Sequence, residues 1–176
     1  MVRQYFPNRR NKQIFLITGI LFYLISLISG CYKGQGLEPE PPQGEIQGQV
    51  EFMGEWPDST KEVRVVVLKK YPLGIDHSDL MNFVVNNIVK YSDPIPKDSR
   101  YFNYSLEVPP GEYGWILVAW FPDIPSYFLG VKELGAYYRD SEQQYPSSVL
   151  VNAGETLKRI DIRADFANVD NQDPFF

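Results

Sequence analysis

Few residues in this 176-residue chain combine the types and spacing that chemistry needs. The only histidine, His77, stands in the run Asp76-His77-Ser78-Asp79, an imidazole beside carboxylates and a hydroxyl. General-base catalysis uses such groups, but it needs them to converge from separate elements so that each ring nitrogen meets its own partner. Neighbours on one short loop seldom align in that way, so the run reads as a helix cap or a solvated turn. Asp165, Asn168, Asp170, Asn171 and Asp173 offer the oxygen ligands that calcium takes, yet the glycine and terminal glutamate of an EF-type loop are missing. A solvated tail is expected there. Asn103-Tyr104-Ser105 has the form of a glycosylation acceptor but falls inside a strand pattern. One histidine and one cysteine do not make a zinc set, and neither a metal nor another cofactor is expected. The remaining reactive group is the thiol of Cys31, the only cysteine of the chain.

The context of Cys31 is ordered: basic, then apolar, then small. Arg3, Arg9, Arg10 and Lys12 precede the uncharged fifteen-residue run Ile14–Ile28, and Ile28-Ser29-Gly30-Cys31 follows. Charge order and apolar length are those of an export signal. The run is short for a bilayer span, which needs about 20 residues. The tetrapeptide resembles the lipobox of bacterial lipoproteins: an aliphatic residue, two small ones, then cysteine. That resemblance implies that Cys31 accepts a diacylglyceryl group as a thioether, and that Ile28, Ser29 and Gly30 form the recognition segment for the signal peptidase. Cleavage would make Cys31 the first residue of the mature chain, its amine open to a further acyl chain. Two or more chains hold stably in a membrane, where one is marginal. The alternative, an uncleaved anchor, puts the rest of the chain on the same outer side, because the cations favour the cytoplasm. If the envelope is Gram-negative, Tyr32 lacks the aspartate that family rules associate with inner-membrane retention, which implies the outer membrane.

Beyond residue 30 the chain carries 13 basic against 22 acidic residues, a net charge of −9. An acidic body without a basic patch excludes nucleic acid as a partner, since phosphate binding needs clustered Lys and Arg. Residues 31–44 then supply the candidate lipidated cysteine and a proline- and glycine-rich tether with a reach of at most about 40 Å. From residue 45 the pattern has period two. Ile46, Val50 and Phe52 alternate with polar residues; Val63, Val65 and Val67 share a face; and Phe102, Tyr104, Leu106 and Val108 share another. Residues 112–121 are apolar on both faces, as in a central strand, while 148–151 and 157–166 close the series. Pro110-Gly111 predicts a type II turn, and Asn152-Ala153-Gly154-Glu155 another turn before the last strand. Residues 77–91 are ambiguous: Leu80, Val84 and Ile88 suit a helix face, but Asn86-Asn87 and the β-branched run favour extended or irregular structure. Little helix and many short strands predict an all-β sandwich over 45–166, with 167–176 as a C-terminal tail.

A second resemblance rests on Gly48 in the opening strand, Pro110-Gly111-Glu112-Tyr113, and Ala153-Gly154-Glu155-Thr156 before the final strand. These positions resemble the prealbumin-like sandwiches of the carboxypeptidase-regulatory families. The resemblance implies a single Greek-key sandwich of seven to eight strands, usually noncatalytic. Region 71–99 departs from the pattern as an insertion. Ureide-hydrolysing relatives use several histidines and a C-terminal signature that this chain lacks. Isopeptide-forming relatives place a lysine in the opening strand, and residues 45–53 contain none.

Large rings offer the remaining binding chemistry. Trp115 and Trp120 are mid-strand, on opposite faces, and are read as core. Trp56, Tyr127, Tyr137 and Tyr138 lie where rings on loops could contact a ligand, by stacking on a sugar or anchoring a protein. The expected function is a noncatalytic, membrane-anchored interaction or scaffold module of the cell envelope, whose partners are lipid through acylated Cys31 and an envelope protein or glycan. The alternative is a carbohydrate- or small-ligand-binding accessory lipoprotein of an envelope transport system.

Overall fold

The computed structural model describes residues 40–140 and 142–171. Ile28, Ser29, Gly30, Cys31 and the tether as far as residue 39 lie outside them, as do the side chains of His77, Tyr127 and Phe128. Among the described residues the chain is all-β, with ten strands and two helices beside a short 3-10 turn. Strand β1 (Gly44–Met53) pairs antiparallel with β4 (Tyr101–Val108), from Gly44↔Val108 to Glu51↔Tyr101. It also pairs in parallel with β9 (Thr156–Leu157) and β10 (Ile162–Asp165), the latter starting at Val50↔Ile162. A second sheet runs in the order β3 (Ile88–Tyr91), β2 (Thr60–Leu68), β6 (Trp115–Pro122), β7 (Lys132–Ala136). The short pair β5 (Gly111–Tyr113) and β8 (Val149–Val151) stands apart.

The period-two pattern explains which faces meet. Ile46, Val50 and Phe52 from β1, Val63, Val65 and Val67 from β2, and Tyr104, Leu106 and Val108 from β4 are buried in one core. Ile116, Val118 and Trp120 from β6 join them, so both four-stranded sheets contribute to that core. Gly48 falls in the same inward row as Ile46 and Val50, and its missing side chain is replaced by backbone. A Cβ there would lie 2.0 Å from the carbonyl oxygen of Ile160, which also accepts a hydrogen bond from the Tyr104 hydroxyl. Gly135 does the same on β7: a Cβ would lie 2.0 Å from the Arg163 oxygen, so β7 and β10, from different sheets, touch main chain to side-chain-free main chain.

Several segments depart from the sequence reading, each for a local reason. Residues 77–91 are helix and then strand: helix α1 (His77–Asn87) leads directly into β3. The two asparagines that argued against a helix serve it. Asn86 and Asn87 each donate a side-chain N–H to the carbonyl four residues back, Asn82 and Phe83, at 2.8 Å. The expected strand 157–166 is divided by Arg159, whose φ of 65° turns Ile160 toward Gly48 and separates β9 from β10. Gly114 likewise divides 112–121 into β5 and β6, closing onto the Lys69 carbonyl through its N–H at 3.0 Å. These divisions account for part of the strand count above eight. Gly111 does not take the positive φ that a type II turn demands, so that turn is absent; instead the Tyr113 hydroxyl donates back to the Pro109 carbonyl. Gly154 does take it, at 72°, and the Glu155 N–H closes onto the Asn152 oxygen at 3.1 Å. Strand β7 was not foreseen, because Lys132-Glu133-Leu134-Gly135 lacks the β-branched residues that announce a strand.

The sheet edges are treated unequally. The segment expected as a tail opens with helix α2 (Ala167–Asn171), which lies along β7. Asn168 donates its side-chain amide to the Leu134 oxygen at 2.9 Å, and the Lys132 ammonium reaches the Val169 carbonyl. On the opposite side β3 and β4 each end their sheet with no further strand paired to them. A groove of about 570 Å³ runs between these two edges, lined by Lys90, Tyr91 and Ser92 on one side and Asn103, Tyr104 and Ser105 on the other.

Candidate functional site

A sheet face turned to solvent normally alternates polar residues, but the outer face of β2, β6 and β7 does not. Val66, Leu68, Trp115, Leu117, Ala119, Val131 and Ala136 form a second buried cluster there. Val84 of α1 and Tyr71, just beyond β2, pack over it. Trp115 is 2 % exposed and holds the middle of this layer. The Tyr71 ring meets it edge-on at 5.3 Å between centroids, and Tyr71 in turn contacts Tyr145 at 5.7 Å.

One carboxylate stands among these rings. Glu133 on β7 accepts a hydrogen bond from the Trp115 indole N–H, 3.1 Å from its Oε2. Burial pushes its carboxyl up to about 7 from an ordinary 4.5, against the opposing pull of the Trp115 hydrogen bond. The phenols of Tyr71 and Tyr138 are also raised, by burial first and then by the Glu133 charge. A cleft of about 740 Å³ opens beside Glu133, with Tyr138, Gln49, Asp161, Arg163 and Asn168 in its walls.

The raised Glu133 carboxyl carries a stability prediction. Between its unfolded value of 4.5 and its folded value of about 7, the unfolded chain has released the proton while the folded chain still holds it. Stability therefore falls as pH rises through that window and levels off above it. Glu133→Gln keeps an oxygen for the indole N–H and removes the titration. Urea denaturation at pH 8 is expected to find the variant more stable by about 3 kcal/mol, with the difference vanishing near pH 4. Parallel stability curves for the two proteins across pH 4–8 would contradict the burial of this carboxyl.

The ring positions singled out in the sequence divide. Tyr138 is 39 % exposed and lines the cleft. Tyr137, its neighbour, points the other way into the main core. Trp56 is half-buried: its ring lies 5.0 Å from Phe52 and 4.7 Å from Phe166, and its N–H donates to the Ser99 oxygen at 3.2 Å. Tyr127 belongs to the 3-10 turn Tyr127–Gly130, and its side chain lies outside the described set. Trp115 and Trp120 occupy opposite faces of β6, with Trp120 donating its N–H to the Thr60 hydroxyl at 2.9 Å. Glu133 and Tyr71 went unnoticed in the sequence. Lys132 beside Glu133 made the pair read as an ordinary solvated turn between Val131 and Leu134, so the local sequence carried no signal for the burial of Glu133.

No family model matches the chain, and no curated protein matches it. A leucine-rich repeat protein from Bacteroides thetaiotaomicron is similar in structure over 71 % of this chain, at 13 % identity and a TM-score of 0.34. The chain spans only 14 % of that protein's length. At that level of likeness the comparison carries no argument, and the site stands on its own geometry. Among the described residues no helix is long and apolar enough to cross a membrane.

Proposed function

We propose that this chain is a lipid-anchored lipoprotein of the bacterial cell envelope, whose domain is a prealbumin-like Greek-key sandwich working as a noncatalytic interaction module. The anchoring reading is supported by four cations, a fifteen-residue apolar run and Ile28-Ser29-Gly30-Cys31 in that order. The fold reading is supported by the strand orders β10-β1-β4 and β3-β2-β6-β7 around one core, with β1 and β10 parallel. The interaction reading is carried by one observation: β4 is an eight-residue edge strand with no strand paired to its outer side, where a groove separates it from the edge strand β3. Such an edge offers a row of backbone donors and acceptors to an added strand. The proposed partner is an extended segment of another envelope protein, within the short reach of the tether.

Two measurements test this reading. Cells fed an alkyne-tagged fatty acid are expected to label the wild type, whereas Cys31→Ser should lose both the label and signal cleavage. Labelling and processing of that variant would overturn the anchoring reading. A photocrosslinking residue placed at Asn103 or Ser105 in intact envelopes is expected to capture a protein, and the same probe at Leu150, 62 % exposed on β8, is not. Equal yields at the two places would remove β4 as the docking edge. The second reading, a small-ligand accessory protein, is favoured by the cleft beside Glu133 and Tyr138. Tight glycan binding by the protein together with no crosslinked partner would put that reading first.

A further inference from the structure

Three features meet at one point: the Glu133 carboxyl, the Tyr138 ring and an open cleft. The Glu133 carboxyl uses Oε2 to accept the Trp115 N–H, and no protein group donates to its Oε1 among the described residues. No buried side-chain polar atom among the described residues is left without a partner, so Oε1 is not sealed off from solvent, and Glu133 lines the cleft. Tyr138 is the aromatic ring that borders the same cleft; the Trp115, Tyr71 and Tyr145 rings pack on one another behind Glu133, outside the cleft lining. Across the cleft stand Glu51, Asp161 and Asp165, with Arg163 as the single cation of the lining. Arg163 is itself engaged, 3.5 Å from Glu51.

An acceptor oxygen, an electron-rich ring face and a surplus of carboxylates select a ligand by its charge. An anion would meet repulsion. A neutral sugar could hydrogen-bond here but would leave the carboxylate charge uncompensated. A compact cation with N–H groups and an apolar body satisfies each of these features, because ring faces attract ammonium groups and a partly desolvated carboxylate pairs with them strongly. We propose that the cleft between Glu133 and Tyr138 binds a primary ammonium carried on a small organic body, with Glu133 Oε1 as its acceptor and the Tyr138 ring against its carbon frame. The site is independent of the anchoring and edge-docking reading, since it lies on the opposite sheet edge from β3 and β4. A polyamine and an amino sugar both carry this ammonium.

The test uses the full chain in detergent micelles, with the indole N–H signals read by NMR and that of Trp115 assigned through Trp115→Phe. Spermidine is titrated at pH 8 and glucosamine at pH 7, where its amine is protonated, each against N-acetylglucosamine, which lacks the ammonium, and against magnesium chloride at matched ionic strength. The expected result is a saturable shift of the Trp115 signal by spermidine or glucosamine, whichever is the better source. Neither control should reproduce it. Glu133→Gln and Tyr138→Ala should each weaken the binding about tenfold or more. At pH 5.5 the wild type should bind correspondingly more weakly, because protonation of Glu133 removes the charge. Tyr138 is largely exposed, so its variant tests the site even if Glu133→Gln fails to fold. Absence of a shift with both ammonium probes, an equal shift with N-acetylglucosamine or magnesium, or unchanged affinity in both variants would overturn the proposal.

Discussion

Gly48→Ala is expected to destabilise the domain by about 3 kcal/mol and lower its melting temperature by roughly 10 °C. The reason is steric and lies in the backbone. The new methyl would sit 2.0 Å from the Ile160 oxygen, 2.6 Å from its carbonyl carbon and 3.0 Å from the Tyr104 hydroxyl. No rotamer relieves a clash with main chain, so the 159–161 segment must move away from β1. That movement breaks the 3.1 Å bond from the Ile160 N–H to the Gln47 oxygen and frees the buried Tyr104 hydroxyl from its acceptor. An unpaired buried hydroxyl adds about 1–3 kcal/mol of its own. Gly111→Ala supplies the contrast: its Cβ would meet nothing closer than 3.7 Å, and its φ is ordinary. That variant should melt within about 2 °C of the wild type. Should the two alanine variants melt together in a thermal scan, the close approach at Gly48 is not there.

Trp115→Ala is expected to cost about 4 kcal/mol, the upper part of the range for removing a buried ring. The residue is 2 % exposed and sits where a two-layer protein would otherwise present a solvated face. Its loss opens a void beneath Tyr71 and removes the Trp115 hydrogen bond to Glu133 Oε2. Since that bond pulls the Glu133 carboxyl down, its removal should also move the carboxyl further above about 7. Trp115→Phe keeps most of the ring area and should cost about half as much. Chemical denaturation followed by circular dichroism measures both. A cost below about 1 kcal/mol for the alanine variant would mean that the outer cluster is not a second core.

The sequence was legible wherever one rule governed a segment. Alternation in Ile46–Phe52, Val63–Val67 and Phe102–Val108 placed three strands and their inward faces, and the doubly apolar 112–121 stretch marked a central strand, which the structure begins at Trp115. It was illegible where two rules competed. In 77–91 β-branched residues argued for extension, and the capping of Asn82 and Phe83 carbonyls by asparagine amides kept the first eleven residues helical. Strand β7 is held by its neighbours on β6 and by α2, not by its own propensity, so nothing local announced it. The site was harder still. Trp115 and Glu133 are eighteen positions apart and meet only because β6 and β7 pair, while Tyr71 reaches them from beyond β2. Of the candidate rings Trp56, Tyr137 and Tyr138, whose side chains are described, Tyr138 alone lines the cleft that the tertiary pairing creates.

The position of β1 has a kinetic consequence. It is the first strand of the domain along the chain and lies in the interior of its sheet, yet its partners β4, β9 and β10 begin at residues 101, 156 and 162. Every ladder bond it makes closes a loop of about 50 residues or more, so the domain folds late and slowly relative to a helical protein of its size. A chain emerging from its N-terminus carries β1 unsatisfied until the last strands arrive. Under the export reading proposed above, such a delay would work as a built-in latch: the structure could not lock until the whole domain was across.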